Sequence, residues 1–323
     1  MKTSDHGMSR RQFCAAAAGA AASVALASSA RAQPQRPPPR FIDVHTHLGR
    51  TWNHTRELTA DKLLEWMDEH GTERAVVMPV VSPEAASYMN TTELVLMQTK
   101  AHRDRLIPFC CIDPRTSYSG KRHGLKFMLQ EYVDQGCKGF GEHKVGLPID
   151  DPRSMEMYSV CGELKLPVLF HLDDVRNTDE PGLPGLEKVL KQNPDTTFIG
   201  HGPGWWASIS GDVKKPEDLG SYPTGPVAPG GAMERLMAAY PNLYGELSAD
   251  SGAGAIGRDK TFGRDFLIRR ADRILFGTDY LSPGQKVPQF DLFRSIDLPA
   301  EVEAKIAHGN AQRLLGLAPV NGQ

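Results

Sequence analysis

Short apolar runs and longer amphipathic stretches alternate along this chain from Phe41 almost to its end. The first run, 41–47, reads Phe-Ile-Asp-Val-His-Thr-His, a strand pattern that ends in two histidines. Over 59–70 the apolar positions recur at helical spacing, and Gly71 supplies the stop. The unit then repeats. Strands are expected at 74–80, 106–112, 137–143, 168–172, 197–201, 243–247 and 273–279. Helices are expected near 90–103, 121–135, 154–165, 184–193, 231–240 and 260–271, with two more, 287–295 and 300–316, closing the series. Eight β-then-α units predict a single-domain α/β fold, a (β/α)8 TIM barrel over 41–317, with 318–323 left as a tail. A doubly wound sheet would carry a glycine-rich phosphate turn after its first strand, but His47-Leu48-Gly49-Arg50 stands there. The connection 202–230 is too long for a plain link. It is rich in Gly and Pro and carries Trp205, Trp206 and Tyr222, so a lid or pocket wall is expected.

The residues before the first strand follow a different logic. Ser9-Arg10-Arg11-Gln12-Phe13 is a twin-arginine pattern, followed by an alanine-rich run and a small-x-small site at Ala30-Arg31-Ala32. Residues 1–32 are therefore expected to be a twin-arginine signal peptide, read by the twin-arginine export machinery and removed before Gln33. The destination would be the periplasm or the exterior. Residues 33–40 form a Pro-rich linker. The alanine-rich run is too short and weakly apolar for a good spanning helix, and no membrane segment is expected in the mature form.

Composition narrows the function. The chain has 323 residues, 40% hydrophobic and 24% charged, with a formal charge of −2. Loss of Lys2, Arg10, Arg11 and Arg31 against Asp5 leaves 33 basic and 38 acidic residues, a slightly acidic mature chain. Nothing there suits a nucleic-acid or membrane-surface partner, which leaves a small-molecule substrate. Cys110, Cys111, Cys137 and Cys161 lack zinc-finger spacing, and three lie in strands, so buried free thiols are expected.

In a barrel, chemistry gathers where strands end. His45 and His47 lie two apart, hence on one face of their strand. Glu142, His171, His201 and Asp279 end strands four, five, six and eight. Imidazoles with hard carboxylates suit Zn2+, and also Mn2+ or Fe2+. A lone strand-end histidine reads as scaffolding and a lone Asp before a helix as a cap; six at corresponding positions read as a site. Alternation also puts Glu142 and Lys144 on one face and turns His143 away. Glu142 then serves as a ligand or as an outer partner, or Lys144 is the functional group. Weaker candidates for the substrate are Arg50, Arg56, His54 and Arg115, with Trp205 and Trp206. Glu246 and Asp250 read as structural or outer-sphere residues. No G-x-S-x-G elbow surrounds Ser208 or Ser248.

The set His45-x-His47, Glu142, His171, His201 and Asp279 resembles the amidohydrolase superfamily of metal-dependent TIM barrels. His308-Gly-Asn310-Ala311, leading to Leu315-Gly316-Leu317, is similar to the closing helix of the amidohydrolase-related (family 2) branch. The resemblance implies that His45, His47, His171 and Asp279 bind a divalent metal, one ion or two. His201 would hold a second ion or polarise the substrate, and Asp279 would move the proton. It further implies hydrolysis of an amide, ester or lactone-like bond. Relatives in the same branch decarboxylate aromatic or unsaturated acids with the same ligands. The Gly141-Glu142 strand end is similar to that of the superfamily's metal-dependent deoxyribonucleases, a likeness that stops there because the mature chain is not basic.

Overall fold

The computed structural model describes residues 40–51, 56–116 and 122–319. The expected signal peptide, nearly all of the linker and His54 lie outside the described residues. Among those described, no helix is long and apolar enough to cross a membrane.

Eight parallel strands are described, β1 (Phe41–Thr46), β2 (Thr72–Val77), β3 (Leu106–Pro108), β4 (Phe140–His143), β5 (Val168–His171), β6 (Phe198–His201), β7 (Leu243–Glu246) and β8 (Ile274–Leu275). They form a three-stranded sheet, β1-β2-β3, and a five-stranded sheet in the order β4-β5-β6-β7-β8. Two seams join the sheets. Cys110 bridges to Phe140 and Thr46 to Tyr280. At the second seam Val44 N also donates to Phe276 O (2.9 Å) and Asp279 N to His45 O (2.9 Å). The result is the expected TIM barrel.

Each helix follows its strand for local reasons. In α1 (Ala60–Glu69) Leu63, Trp66 and Met67 recur on one face and are buried, while the Thr59 hydroxyl accepts from Lys62 N at the start. The helix α2 is Thr92–Thr99 and α3 is Arg122–Asp134. At the start of α4 (Pro152–Glu163), Asp151 caps Arg153 N and Pro152 fixes the first turn. Next come α5 (Pro184–Gln192), a short α6 (Pro203–Ala207), α7 (Ala232–Ala239), α8 (Ala249–Gly257), α9 (Lys260–Arg269), α10 (Gln289–Ser295), α11 (Ala300–Ala304) and α12 (Asn310–Leu315). Two differences from the sequence pattern matter for the site. An unexpected helix, α8, directly follows β7. The closing helix expected over 300–316 is broken by a π-turn at Lys305–Gly309.

Strand alternation sorts the core into two layers. Phe170 and Phe198 join the outer cluster between barrel and helices, whereas Leu169 and Ile199 join the inner cluster with Ile42, Val44, Val76, Ile107 and Leu275. His171 and His201 lie two residues further on, so they face inward just above that apolar plug. Gly200 allows the close outward packing: a Cβ there would lie 2.5 Å from the Trp205 indole. All four described cysteines are buried free thiols.

Candidate metal centre

At the carboxyl ends of the strands six side chains converge. His45 Nε2 lies 3.1 Å from His47 Nε2, and Asp279 Oδ1 is 3.4 Å and 3.6 Å from those two nitrogens. Glu142 Oε2 is 3.5 Å from His47 Nε2. The other Glu142 oxygen, Oε1, is 3.0 Å from His171 Nδ1 and 3.6 Å from His201 Nε2. Each of these residues was singled out by the sequence pattern, and the structure brings them around one space.

The outer nitrogens say what the inner ones are for. His47 Nδ1 donates to Met78 O (3.0 Å), and His45 Nδ1 to Glu246 Oε1 (3.0 Å). His201 Nδ1 is 2.5 Å from the same Glu246 oxygen. His171 Nε2 faces Asp173 Oδ2 at 2.8 Å. Carbonyls and carboxylates only accept, so the neutral His45, His47 and His201 rings keep their proton on the outer nitrogen and present a lone pair inward, and His171, with a carboxylate at both nitrogens, does the same when its proton goes to the nearer Asp173. Four lone pairs and two carboxylates then face one another with no proton between them. A divalent cation resolves that arrangement, since nitrogen ligands bonded at about 2.0–2.1 Å stand roughly 3 Å apart.

Two groups of three that could hold an ion lie inside this set: His45, His47 and Glu142, and Glu142, His171 and His201. A third, His45, His201 and Glu246, lies behind the rings. There the Ser248 hydroxyl fills the space, 2.7 Å from Glu246 Oε1, 2.9 Å from His201 Nδ1 and 3.2 Å from His45 Nδ1. Glu246 is thus a clasp on two rings. The sequence left it as structural or outer-sphere because a strand-end Glu carries no signal of its partners.

Burial and charge act together here. Burial pushes the Glu142 carboxyl up, but the Lys144 ammonium, 3.3 Å from Oε1, and the neighbouring His171 and His47 rings overrule it, so its pKa lies well below the usual carboxylate range. Glu246 is likewise held low against its burial, by His201 and His45. Burial depresses the His171 imidazole, with the Lys144 charge adding to it and Asp173 and Glu142 opposing. His201 is raised: burial is outweighed by Glu246, Glu142 and Asp279. Below the site, Asp43 is buried and pushed up to about 7 by that burial. It accepts from His45 N (3.0 Å), Thr278 N (3.0 Å) and Thr278 Oγ1 (2.5 Å), tying β1 to the residues after β8.

Alternation on strand four holds as expected. Lys144 is buried beside Glu142, and His143 turns away against Tyr158. An opening of about 290 Å3 above the cluster is lined by Lys144, Arg176, Tyr222, Asp279 and Leu281 among others. Arg176 pairs with Asp173. The weaker candidates fall elsewhere. Arg50 is exposed, and Trp205 is fully buried in the core. Trp206 is buried too, with Nε1 donating to Glu246 O at 3.0 Å. Arg115 is engaged by Glu84 (2.7 and 2.8 Å) and Asp113 (3.0 and 2.7 Å).

Among solved structures the chain resembles an uncharacterised TIM-barrel protein of Bordetella bronchiseptica, with 20% identity and a TM-score of 0.61, covering 86% of this chain and 98% of that one. It also resembles a probable 2-pyrone-4,6-dicarboxylic acid hydrolase of Acinetobacter baumannii (14%, 0.59, 86% and 100%). A third is the 5-carboxyvanillate decarboxylase of Sphingomonas paucimobilis (13%, 0.54, 86% and 99%). At these identities the likeness speaks for the fold. Among curated proteins none matches significantly. An amidohydrolase family model matches residues 42–317, which takes in all eight strands save Phe41 and every converging side chain, and the chain belongs to that family of enzymes.

Proposed function

We propose that this protein is a metal-dependent hydrolase that cleaves an amide, ester or lactone-like bond with metal-activated water. His45, His47, His171 and Asp279 hold the ion in this reading, with Glu142 and His201 completing the set and able to take a second one. Zn2+ suits these donors, and Mn2+ or Fe2+ would too. The ion supplies Lewis acidity that makes water a nucleophile near neutral pH.

The chain's own residues do the rest. The observation that carries the reading is the position of Asp279. It is 16% exposed, whereas the other five converging side chains are at most 7% exposed, so it touches both the ligand cluster and the open cavity. From there Asp279 Oδ1 takes the proton of the attacking water and returns it to the leaving group. His201 Nε2, its proton kept on Nδ1 by Glu246, is left as a lone-pair donor that would hold the second ion beside Glu142. Lys144 holds Glu142 ionised and orients it.

A second reading is decarboxylation of an aromatic or unsaturated acid. It is favoured by two cationic side chains, Lys144 and Arg176, on the wall of the opening, where an acid substrate would enter. One experiment separates the two. The chain from Gln33, stripped of metal and reloaded with Zn2+ or Mn2+, is assayed on esters, lactones and aromatic acids with and without chelator. Chelator-sensitive hydrolysis is the expected result. Carbon dioxide release without hydrolysis selects the second reading, and activity indifferent to chelator overturns both. We also propose export through the twin-arginine route; a periplasmic product beginning at Gln33 is the expected outcome, and an uncleaved cytoplasmic chain opposes it.

A further inference from the structure

Away from the metal centre, apolar surface gathers in one region. Seven large apolar side chains stand exposed among the described residues. Five of them, Tyr88, Met89, Leu94, Met97 and Phe127, belong to α2, α3 and the segment leading into α2. Met97 and Phe127 are the most exposed of the seven, at 65% and 60%. A helix on the outside of a barrel buries one face and shows water a polar one. The helix α2 buries Val95 and Leu96 in this way, yet it also carries Leu94 and Met97 on its outer side. A helix that is apolar on both sides is one that is covered on both sides. Its own chain covers only one.

The outer side also has an order of charges. Glu93, Met97 and Lys100 are exposed and recur at i, i+4 and i+7, so they lie along one line, with Lys100 opening the 3-10 turn Lys100–His102 that extends α2. The acid stands at the first end, where it accepts from the Tyr132 hydroxyl of α3, and the base at the second. The same three residues line a groove of about 720 Å3 beside α2, together with Leu96, Ile107 and Leu317. Arg103 and Lys138 line it as well, so basic side chains outnumber Glu93 there and an acid from outside is wanted. At a rise of about 1.5 Å per residue, Glu93 and Lys100 are roughly 10 Å apart along the helix, with Met97 near the midpoint. Turning a copy of the helix end for end about that midpoint exchanges the two charges.

We propose that this face joins two copies of the chain: α2 packs antiparallel to the α2 of a second copy across a two-fold axis near Met97, each Glu93 facing the other copy's Lys100, with the exposed apolar side chains of α2 and α3 covered between them. A two-fold contact brings one patch against itself, so every pair is made twice. The charge order selects the antiparallel arrangement, because a parallel one would set Glu93 against Glu93 and Lys100 against Lys100.

Sedimentation velocity of the purified protein from about 1 to 100 µM tests this. Wild type is expected to run as a dimer that dissociates on dilution. Glu93→Lys and Lys100→Glu each set like charges against one another at both contacts and are expected to weaken association about tenfold or more. An equimolar mixture of these two variants is expected to regain wild-type association, since each chain then offers the charge that the other lacks, and that recovery also shows both to be folded. Because Glu93 holds Tyr132 too, Met97→Asp supplies a variant that leaves this contact alone; it is expected to stay monomeric. A monomeric wild type overturns the proposal, including the case in which a different protein or the chain's own N-terminal residues cover the face. So do single variants that associate as tightly as wild type, and so does a mixture no tighter than its components.

Discussion

His45 Nε2 and His47 Nε2 stand 3.1 Å apart, each on a ring whose proton is committed elsewhere, to Glu246 and to Met78 O respectively. Two lone pairs at that separation repel. The pair is held together by the strand that carries both rings and by the acceptors behind them, so part of the cost of assembling the ligands is met by the fold before any ion arrives.

Glu246 is the larger of those supports, because it anchors His45 and His201 together. Replacing it with Gln keeps the shape but weakens both contacts. Affinity for Zn2+ is expected to fall about 10- to 100-fold, measured by competition against a chromogenic chelator, with the circular dichroism spectrum unchanged.

Asp279 is expected to matter more for turnover than for folding. Asp279→Asn removes the proton acceptor at the mouth of the cluster and should cut kcat by about 10²–10⁴. The thermal midpoint should move little, since the Asp279 backbone contacts to His45 O and Gln285 Nε2 are made by main-chain atoms and survive the change.

Asp43 should behave in the opposite way. Asp43→Ala strands two backbone N–H groups and the Thr278 hydroxyl inside the barrel, and a loss of about 3 kcal/mol is expected in urea unfolding of the metal-free protein.

Gly200→Ala tests the outer layer. The added methyl would meet the Trp205 ring at 2.5 Å, and the expected cost is about 1–3 kcal/mol in thermal or urea unfolding.

Arg115 provides the pH dependence. Hydrogen bonds from Arg115 lower the Glu84 carboxyl, and they lower Asp113 against its partial burial. Depressed carboxylates stabilise the fold above their ordinary range, near pH 4, and lose that contribution as pH falls through their lower folded values. Arg115→Met should therefore melt earlier at pH 7, by about 1 kcal/mol for this half-exposed cluster. The difference from wild type should shrink below about pH 4.

The barrel was legible in the sequence because every β-then-α unit changes its hydrophobic period at a Gly, Pro or capping residue, as at Thr59, Gly71 and Asp151. The convergence of His45, His47, Glu142, His171, His201 and Asp279 followed once eight strands could be counted, since each stands at a strand end. Other features left no pattern to read. Ala-Asp-Ser-Gly-Ala-Gly-Ala-Ile-Gly, which becomes α8, is too small and glycine-rich to show a helical stripe, and it packs against α6, the short helix that follows β6. Trp206 looked like a binding aromatic in a long loop; its indole N–H is anchored on the Glu246 carbonyl, a contact between chain positions 40 residues apart that no local pattern encodes. The partnership of Glu246 with His45 spans 201 residues and is invisible for the same reason.

The seam between β1 and the residues after β8 has a consequence for biogenesis. His45 and His47 are among the first residues of the barrel to be synthesised, and Asp279 is among the last. Backbone hydrogen bonds from Val44, His47 and Asp279 close the ring between them. A nascent or truncated chain that lacks the eighth strand holds at most an incomplete ligand set, however well its earlier units have formed. In the proposed reading, joining the two ends is what sets Asp279 beside His45 and His47, so the last carboxylate of the ligand set arrives only with closure of the ring.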